Sequence, residues 1–212
     1  PVGMTPGRAQ AFHDVVRKYR PNCLINSRII HSGKAKIVPE SQHLYDYVSI
    51  GDKEVPTQPL PIYYESPDSV SSSYAFKTKG EVSYHSVADM IHRLVDTVCF
   101  NGNYLLNCGP MGNGKLDPKA VALYQAIGAW LQKNGESIYG STPNPLGAKP
   151  AFGNVGGDKS GRAMYVHVFD WPASGKLTLE KMPKRVQAAK FLANGAAVTF
   201  RQEGNNLHLD LP

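Results

Sequence analysis

Long apolar runs are missing from this 212-residue sequence. No window comes near the roughly 20 unbroken apolar residues of a membrane-spanning helix, so no membrane partner is expected. Cysteine is scarce, and Cys23, Cys99 and Cys108 show no CxxC spacing. An odd count argues against a disulfide framework and for buried thiols. The seven histidines form no HExxH or paired-ligand spacing, which predicts no metal site and no cofactor. Gly109 to Gly114 is a glycine-rich loop, but Lys115-Leu116 stands where a phosphate loop needs Lys-Ser or Lys-Thr. No GxSxG and no Cys–His signature appears. Blocks of like charge are also absent. The net charge is +6, and apart from Lys181, Lys184, Arg185 and Lys190 the basic residues are scattered. That pattern reads as a solvated surface, and no nucleic-acid partner is expected.

What the chain does have is turn formers: 20 Gly and 16 Pro, about 17% together against a usual ~12%. Between the turns, local signals predict three helices. Thr5 caps Pro6 to Lys18, Ser86 caps a strongly amphipathic run to Cys99, and Asp117-Pro118 opens a run closed by Asn134-Gly135. Cys23 to Asn26, Leu60 to Tyr64 and Tyr104 to Cys108 are short apolar runs of the kind found in buried parallel strands. Residues 29–60 are polar and irregular, which is long for a connection. After Gly140 the texture changes. Ser141 to Gly161 reads as linker. Segments at 164–169, 176–179, 184–192, 197–200 and 207–211 then alternate with period two between Gly and Asn turns, as in an antiparallel sandwich.

In a parallel α/β barrel the chemistry sits on the loops after the strand C-termini. That rule selects Asn26 to Arg28, the 40–56 loop, Glu65 to Tyr74, and Asn107 to Gly114. The candidate carboxylates singled out on those loops are Asp46, Asp52, Glu54 and Glu65, and glycoside hydrolysis needs two carboxyl groups flanking the bond. Arg28 is either a salt-bridge residue or a bidentate contact to substrate. Tyr63, Tyr64, Tyr74 and Phe76 offer aromatic faces suited to sugar C–H surfaces or to a core.

The stretch Asn101-Gly102-Asn103-Tyr104-Leu105-Leu106-Asn107-Cys108-Gly109-Pro110, with Gly112 to Pro118, Ile127 to Leu131 and Asn134 to Gly140, resembles the C-terminal part of the catalytic barrel of α-L-fucosidases, glycoside hydrolase family 29. Ile25-Asn26-Ser27-Arg28 looks like that family's strand ending in Asn-Asp-Arg. Tyr64-Glu65-Ser66 stands where the family often has Trp-Glu-Thr, and Ser73-Tyr74-Ala75-Phe76 where it often has Ser-Trp-Gly-Tyr.

The resemblance implies an α/β fold: the C-terminal portion of a (β/α)8 (TIM) barrel over residues 1–142, then an antiparallel β-sandwich over 143–212. It implies a retaining exo-glycosidase removing terminal α-L-fucose from oligosaccharides or glycoconjugates by double displacement. Glu54 is the first choice for acid/base, with Asp52 and Glu65 as alternatives, and Arg28, Tyr74 and Tyr64 are the expected substrate contacts. The family's nucleophilic Asp precedes the helix that here is Pro6 to Lys18, yet residues 1–13 contain no Asp. The nucleophile is therefore expected at or just before Pro1, outside this chain. Three core strands against the eight of a closed barrel point the same way. The N-terminal part of the barrel, as a separate chain or a missing segment, is then a required partner, and the chain alone is expected to be inactive. A periplasmic or secreted location is a family-level expectation. The competing reading is a non-catalytic carbohydrate-binding or degenerate glycosidase-like protein.

Overall fold

The structure, a computed structural model, describes residues 4–31, 39–78 and 82–212. In chain order its helices are α1 (Pro6–Tyr19), α2 (Val87–Cys99) and α3 (Pro118–Asn134). Its strands are β1 (Val48–Ser49), β2 (Tyr64–Ser69), β3 (Gly102–Asn107), β4 (Ser141–Thr142), β5 (Gly153–Asp158), β6 (Met164–Val168), β7 (Lys176–Leu179), β8 (Thr199–Glu203) and β9 (Asn206–Asp210). The chain divides into two compact units. One takes the chain as far as Pro56, with Leu60–His85 and Asn101–Ala120. The other takes Thr57–Pro59, Ser86–Phe100 and Val121–Pro212.

The helices form where local chemistry asks for them. The Thr5 hydroxyl accepts the Arg8 amide, and Pro6 occupies the first turn of α1, where its missing N–H costs nothing. Ser86 and Asp89 make a reciprocal capping box at α2. Asp117 accepts the Lys119 amide at the start of α3.

In the first unit β1, β2 and β3 form a parallel sheet in that order, with Tyr64 opposite Gly102 and Ser69 opposite Asn107. This differs from the sequence expectation in two places. Cys23 to Asn26 is no strand. A single parallel bridge joins Asn26 to Tyr47, and Leu24 is 72% exposed. The expected 60–64 strand lies instead at Tyr64–Ser69, across a proline and two charges. Its pairing with the apolar β3, six residue pairs long, outweighs its poor intrinsic strand propensity. Residues 39–44 form a 3-10 turn within the stretch read as irregular, and the 32–38 part of that stretch lies outside the described residues.

In the second unit, β4-β5-β6 and β7-β9-β8 are two antiparallel sheets. They share one core of Val155, Leu177, Leu179, Met182, Leu207 and Leu209. A further cluster gathers Val95, Cys99 and Ile138 with Trp130, Leu131 and Phe169. Two sequence readings are corrected here. The stretch read as linker contains β5, which is buried along nearly its whole length. Its Gly-Asn-Val-Gly-Gly sequence hides it, because the glycines serve close approach. A Cβ at Gly157 would sit 2.5 Å from the Thr142 hydroxyl oxygen. The 184–192 segment is irregular, held by one bridge from Lys190 to Ala197. The thiols are free, but only Cys99 is buried; Cys108 is half-buried and Cys23 exposed.

Candidate active site

The loops that follow β1, β2 and β3 belong to the first unit, and they converge through polar contacts. Asn26 caps a 3-10 turn over Ser27–Ile29, its side chain accepting the Arg28 amide at 2.9 Å. The turn directs Arg28 toward the end of β1. Its Nε donates to the Ser49 hydroxyl at 3.1 Å, and its terminal nitrogen reaches Asp52 at 3.4 Å. Both charged groups of that pair keep about half their surface in water, so the pair itself adds only ~0–1 kcal/mol.

The loop after β1 turns back toward β2. Gly51 takes φ +118°, and Lys53 takes φ +61°, which non-glycine residues adopt infrequently. The Lys53 amide donates to the Pro67 carbonyl at 2.7 Å, and the Ser66 hydroxyl donates to the Glu54 carbonyl. Glu54 is half-buried on this loop. The loop after β2 brings Tyr74 back over its own strand, where its hydroxyl donates to the same Pro67 carbonyl at 3.0 Å. Asn107, at the end of β3, donates to the Tyr74 carbonyl at 2.8 Å. Glycine is required at position 109, where a Cβ would sit 2.2 Å from the Phe76 amide nitrogen.

Burial, with the nearby charges of Asp52 and Asp68, pushes the Tyr74 phenol up to about 12, so it stays a neutral hydrogen-bond donor. The Lys53 ammonium lies 5.4 Å from the centre of the Tyr74 ring. The same loop lines a cleft of about 180 Å³ together with Tyr84, Cys108, Asp117 and Lys119. Burial, followed by Asp117, raises the Tyr84 phenol as well.

Of the residues selected from sequence, the structure therefore brings Arg28, Asp52 and Tyr74 together, with Glu54 two residues along the same loop from Asp52. Tyr64 and Glu65 lie at the start of β2 and not on a loop. Tyr64 pairs with Val48 and Glu65 with Ser49, whose hydroxyl accepts from the Arg28 Nε, while five and four residues separate them from the Ser69 end of β2, about 17 and 13 Å at ~3.3 Å per residue. The Tyr64 side chain is fully buried, its ring filling the space above Gly102, so it is a core residue. Glu65 is half-buried within the strand, not on the loop that sequence reading gave it. Asp46 is a tie between α1 and the chain before β1. It takes two bonds from Arg17, at 2.7 and 2.8 Å, and one from the Ile25 amide. Burial opposes ionisation there, but these donors outweigh it and lower the carboxyl.

Sequence reasoning missed Asp68 and Lys53. Asp68 is 1% exposed and accepts the Tyr104 hydroxyl at 2.9 Å. The available signal was Asp68 itself, a carboxylate between Pro67 and Ser69, but it fell inside a stretch read as loop. Among the described residues, no three His, Cys, Asp or Glu gather as metal ligands, and no helix is long and apolar enough to cross a membrane.

This arrangement can hold a polyhydroxylated ring. Arg28 is a fixed planar donor, Tyr74 adds an aromatic edge, and Asp52 and Glu54 are carboxyl groups on one loop. Comparison with known proteins gives the family. The family profile described as Alpha-L-fucosidase matches residues 6–136. Tissue alpha-L-fucosidase of Homo sapiens is 39% identical over 93 residues, 44% of this chain and 20% of that protein. Plasma alpha-L-fucosidase of Homo sapiens is 27% identical over 176 residues, 78% of this chain and 37% of that protein. Among solved structures, alpha-L-fucosidase isoenzyme 1 from Paenibacillus thiaminolyticus superposes with a TM-score of 0.82 at 26% identity, covering 97% of this chain and 50% of that one. The chain thus spans about half of that solved relative and between about a fifth and two fifths of these curated ones.

Proposed function

The chain belongs to the alpha-L-fucosidase family, and from that premise we propose that it supplies part of the active site of a retaining exo-glycosidase that removes terminal α-L-fucose from oligosaccharides or glycoconjugates. One observation carries this reading: Arg28, Asp52, Tyr74 and the loop bearing Glu54 converge where parallel strands end. On this reading residues 1–142 are the C-terminal portion of a (β/α)8 barrel, and residues 143–212 are an accompanying sandwich. The N-terminal portion of the barrel is the partner.

Double displacement needs an attacking carboxylate and a carboxyl group that donates, then accepts, a proton. Glu54 is assigned the second role, with Asp52 and Glu65 as alternatives. Asp52 faces Arg28 at 3.4 Å, and that ion pair engages its carboxylate. Glu65 lies within β2, opposite Ser49, and not on the loop that carries Asp52. The nucleophilic Asp is assigned to a segment outside these 212 residues, since residues 1–13 hold none and Asp14 lies inside α1. Arg28 and Tyr74 hold and orient the sugar. An exported enzyme, secreted or periplasmic, fits glycan substrates.

The test uses polypeptide comprising the whole barrel. Glu54→Gln is expected to slow aryl α-L-fucoside hydrolysis at least about 100-fold for poor leaving groups and far less for good ones, which need little acid assistance. Azide is expected to restore rate to the variant. Equal slowing across leaving groups would remove Glu54 from the acid/base role. Fucose binding without turnover by the whole-barrel protein would favour the non-catalytic carbohydrate-binding reading.

A further inference from the structure

Lys53 stands at the junction of the loop contacts described above. Its backbone is in the left-handed region, at φ +61°, where a side chain costs free energy that glycine avoids. Its amide donates to the Pro67 carbonyl, the acceptor that also takes the Tyr74 hydroxyl. Its ammonium donates to the Ser71 carbonyl at 2.9 Å while standing over the Tyr74 ring. One residue thus grips the end of β2, the loop after it and the aromatic ring that loop carries. The residues on either side in sequence are Asp52, which faces Arg28, and Glu54.

We infer that Lys53 is a positioning residue: it clamps the 51–56 loop onto the end of β2 and onto Tyr74, and so sets where the Glu54 carboxyl stands relative to the sugar held by Arg28 and Tyr74. The inference rests on the active-site reading above. The physical case is that two loops leaving adjacent parallel strands have no ladder between them, so isolated links, here the Lys53 amide to Pro67 and the Lys53 ammonium to Ser71, fix their spacing. A lysine reaches a carbonyl 18 positions away in sequence and lies over a ring at the same time. The ammonium also leaves positive charge beside the site.

Two measurements test it. In the 212-residue chain, Lys53→Met is expected to raise hydrogen exchange of the amide at position 53 about tenfold, with the thermal midpoint held as a control for global unfolding. Lys53→Gly, which removes the ammonium and tolerates the left-handed backbone, is expected to exchange at least as fast. Lys53→Arg is expected to stay close to the native rate. In the whole-barrel protein, Lys53→Met is expected to lower kcat about tenfold or more while KM stays within about twofold, because the displaced group acts in the transition state. The loss is expected to be larger for poor leaving groups. Native-like exchange in both Lys53→Met and Lys53→Gly overturns the clamp. So does loosened exchange with kcat unchanged in a protein whose Glu54→Gln variant is impaired. An unimpaired Glu54→Gln variant overturns the acid/base assignment instead, and the clamp is then judged on exchange alone.

Discussion

The two units hold their chains in opposite ways. In the antiparallel unit, Leu177 and Leu179 of β7 and Leu207 and Leu209 of the neighbouring β9 enter one apolar core, joined by Met182 from the chain that follows β7. In the parallel unit, polar groups fix the loops beyond the buried strand ends: Arg28 to Ser49 and Asp52, Lys53 to Pro67 and Ser71, Tyr74 to Pro67, and Asn107 to Tyr74. Apolar burial is non-directional and tolerant, so it makes a stable scaffold. Hydrogen bonds are directional and fix angles, so they make a site. The contrast teaches where each kind of substitution does its damage.

The largest effect is expected in the apolar unit. Leu179→Ala, at a side chain 1% exposed, should lower the free energy of unfolding by about 2–5 kcal/mol in urea titration. Trp130 and Trp171 both lie in this unit, so tryptophan emission reports it directly. A loss under about 1 kcal/mol would break the claim that this core is what holds the unit.

The next effect is one of pH. His167 lies in β6 with its Nε2 buried and, among the described residues, without a hydrogen-bond partner, and burial pushes it down to about 4, only partly opposed by Asp96. A folded-state value below the unfolded ~6.5 means the unfolded chain takes up the proton first. Stability from this group is then complete above about pH 6.5 and is lost as pH falls toward 4, on the order of 3 kcal/mol. Urea titrations of the native chain and of His167→Gln at pH 7 and pH 4.5 check this. Parallel pH slopes for the two would refute it.

The smallest effect belongs to the polar unit. Tyr104→Phe removes a donor to the buried Asp68 and should cost about 1–3 kcal/mol, read by far-ultraviolet circular dichroism. A cost equal to that of Leu179→Ala would erase the distinction between the units.

How much was legible beforehand divides along the same line. The helix of Ser86 to Cys99 was readable because its cap, its capping partner and its stripe lie within one turn or a few turns of each other. β5 was not, because its signal is an absence of side chains that makes sense only beside Thr142. Sequence pattern puts Tyr64 at the end of a 60–64 strand and Glu65 at the start of the loop after it. The six-pair register between β2 and β3 moves both to the start of the strand. Arg28 and Asp52, 24 residues apart, could each be nominated from sequence, but no spacing rule brings them within 3.4 Å of one another.

The sequence by itself determined the three helices, the change from parallel to antiparallel texture after residue 140, and the family, through the motif at 101–140. All of these are carried by residues close along the chain, where backbone geometry alone decides who meets whom. Only the tertiary structure decided that β2 begins at Tyr64, that glycines make a buried strand, and that Lys53 joins two loops. Those depend on which strand lies beside which. Pairing between strands is set by the fit of surfaces far apart in sequence, and period and propensity do not encode it.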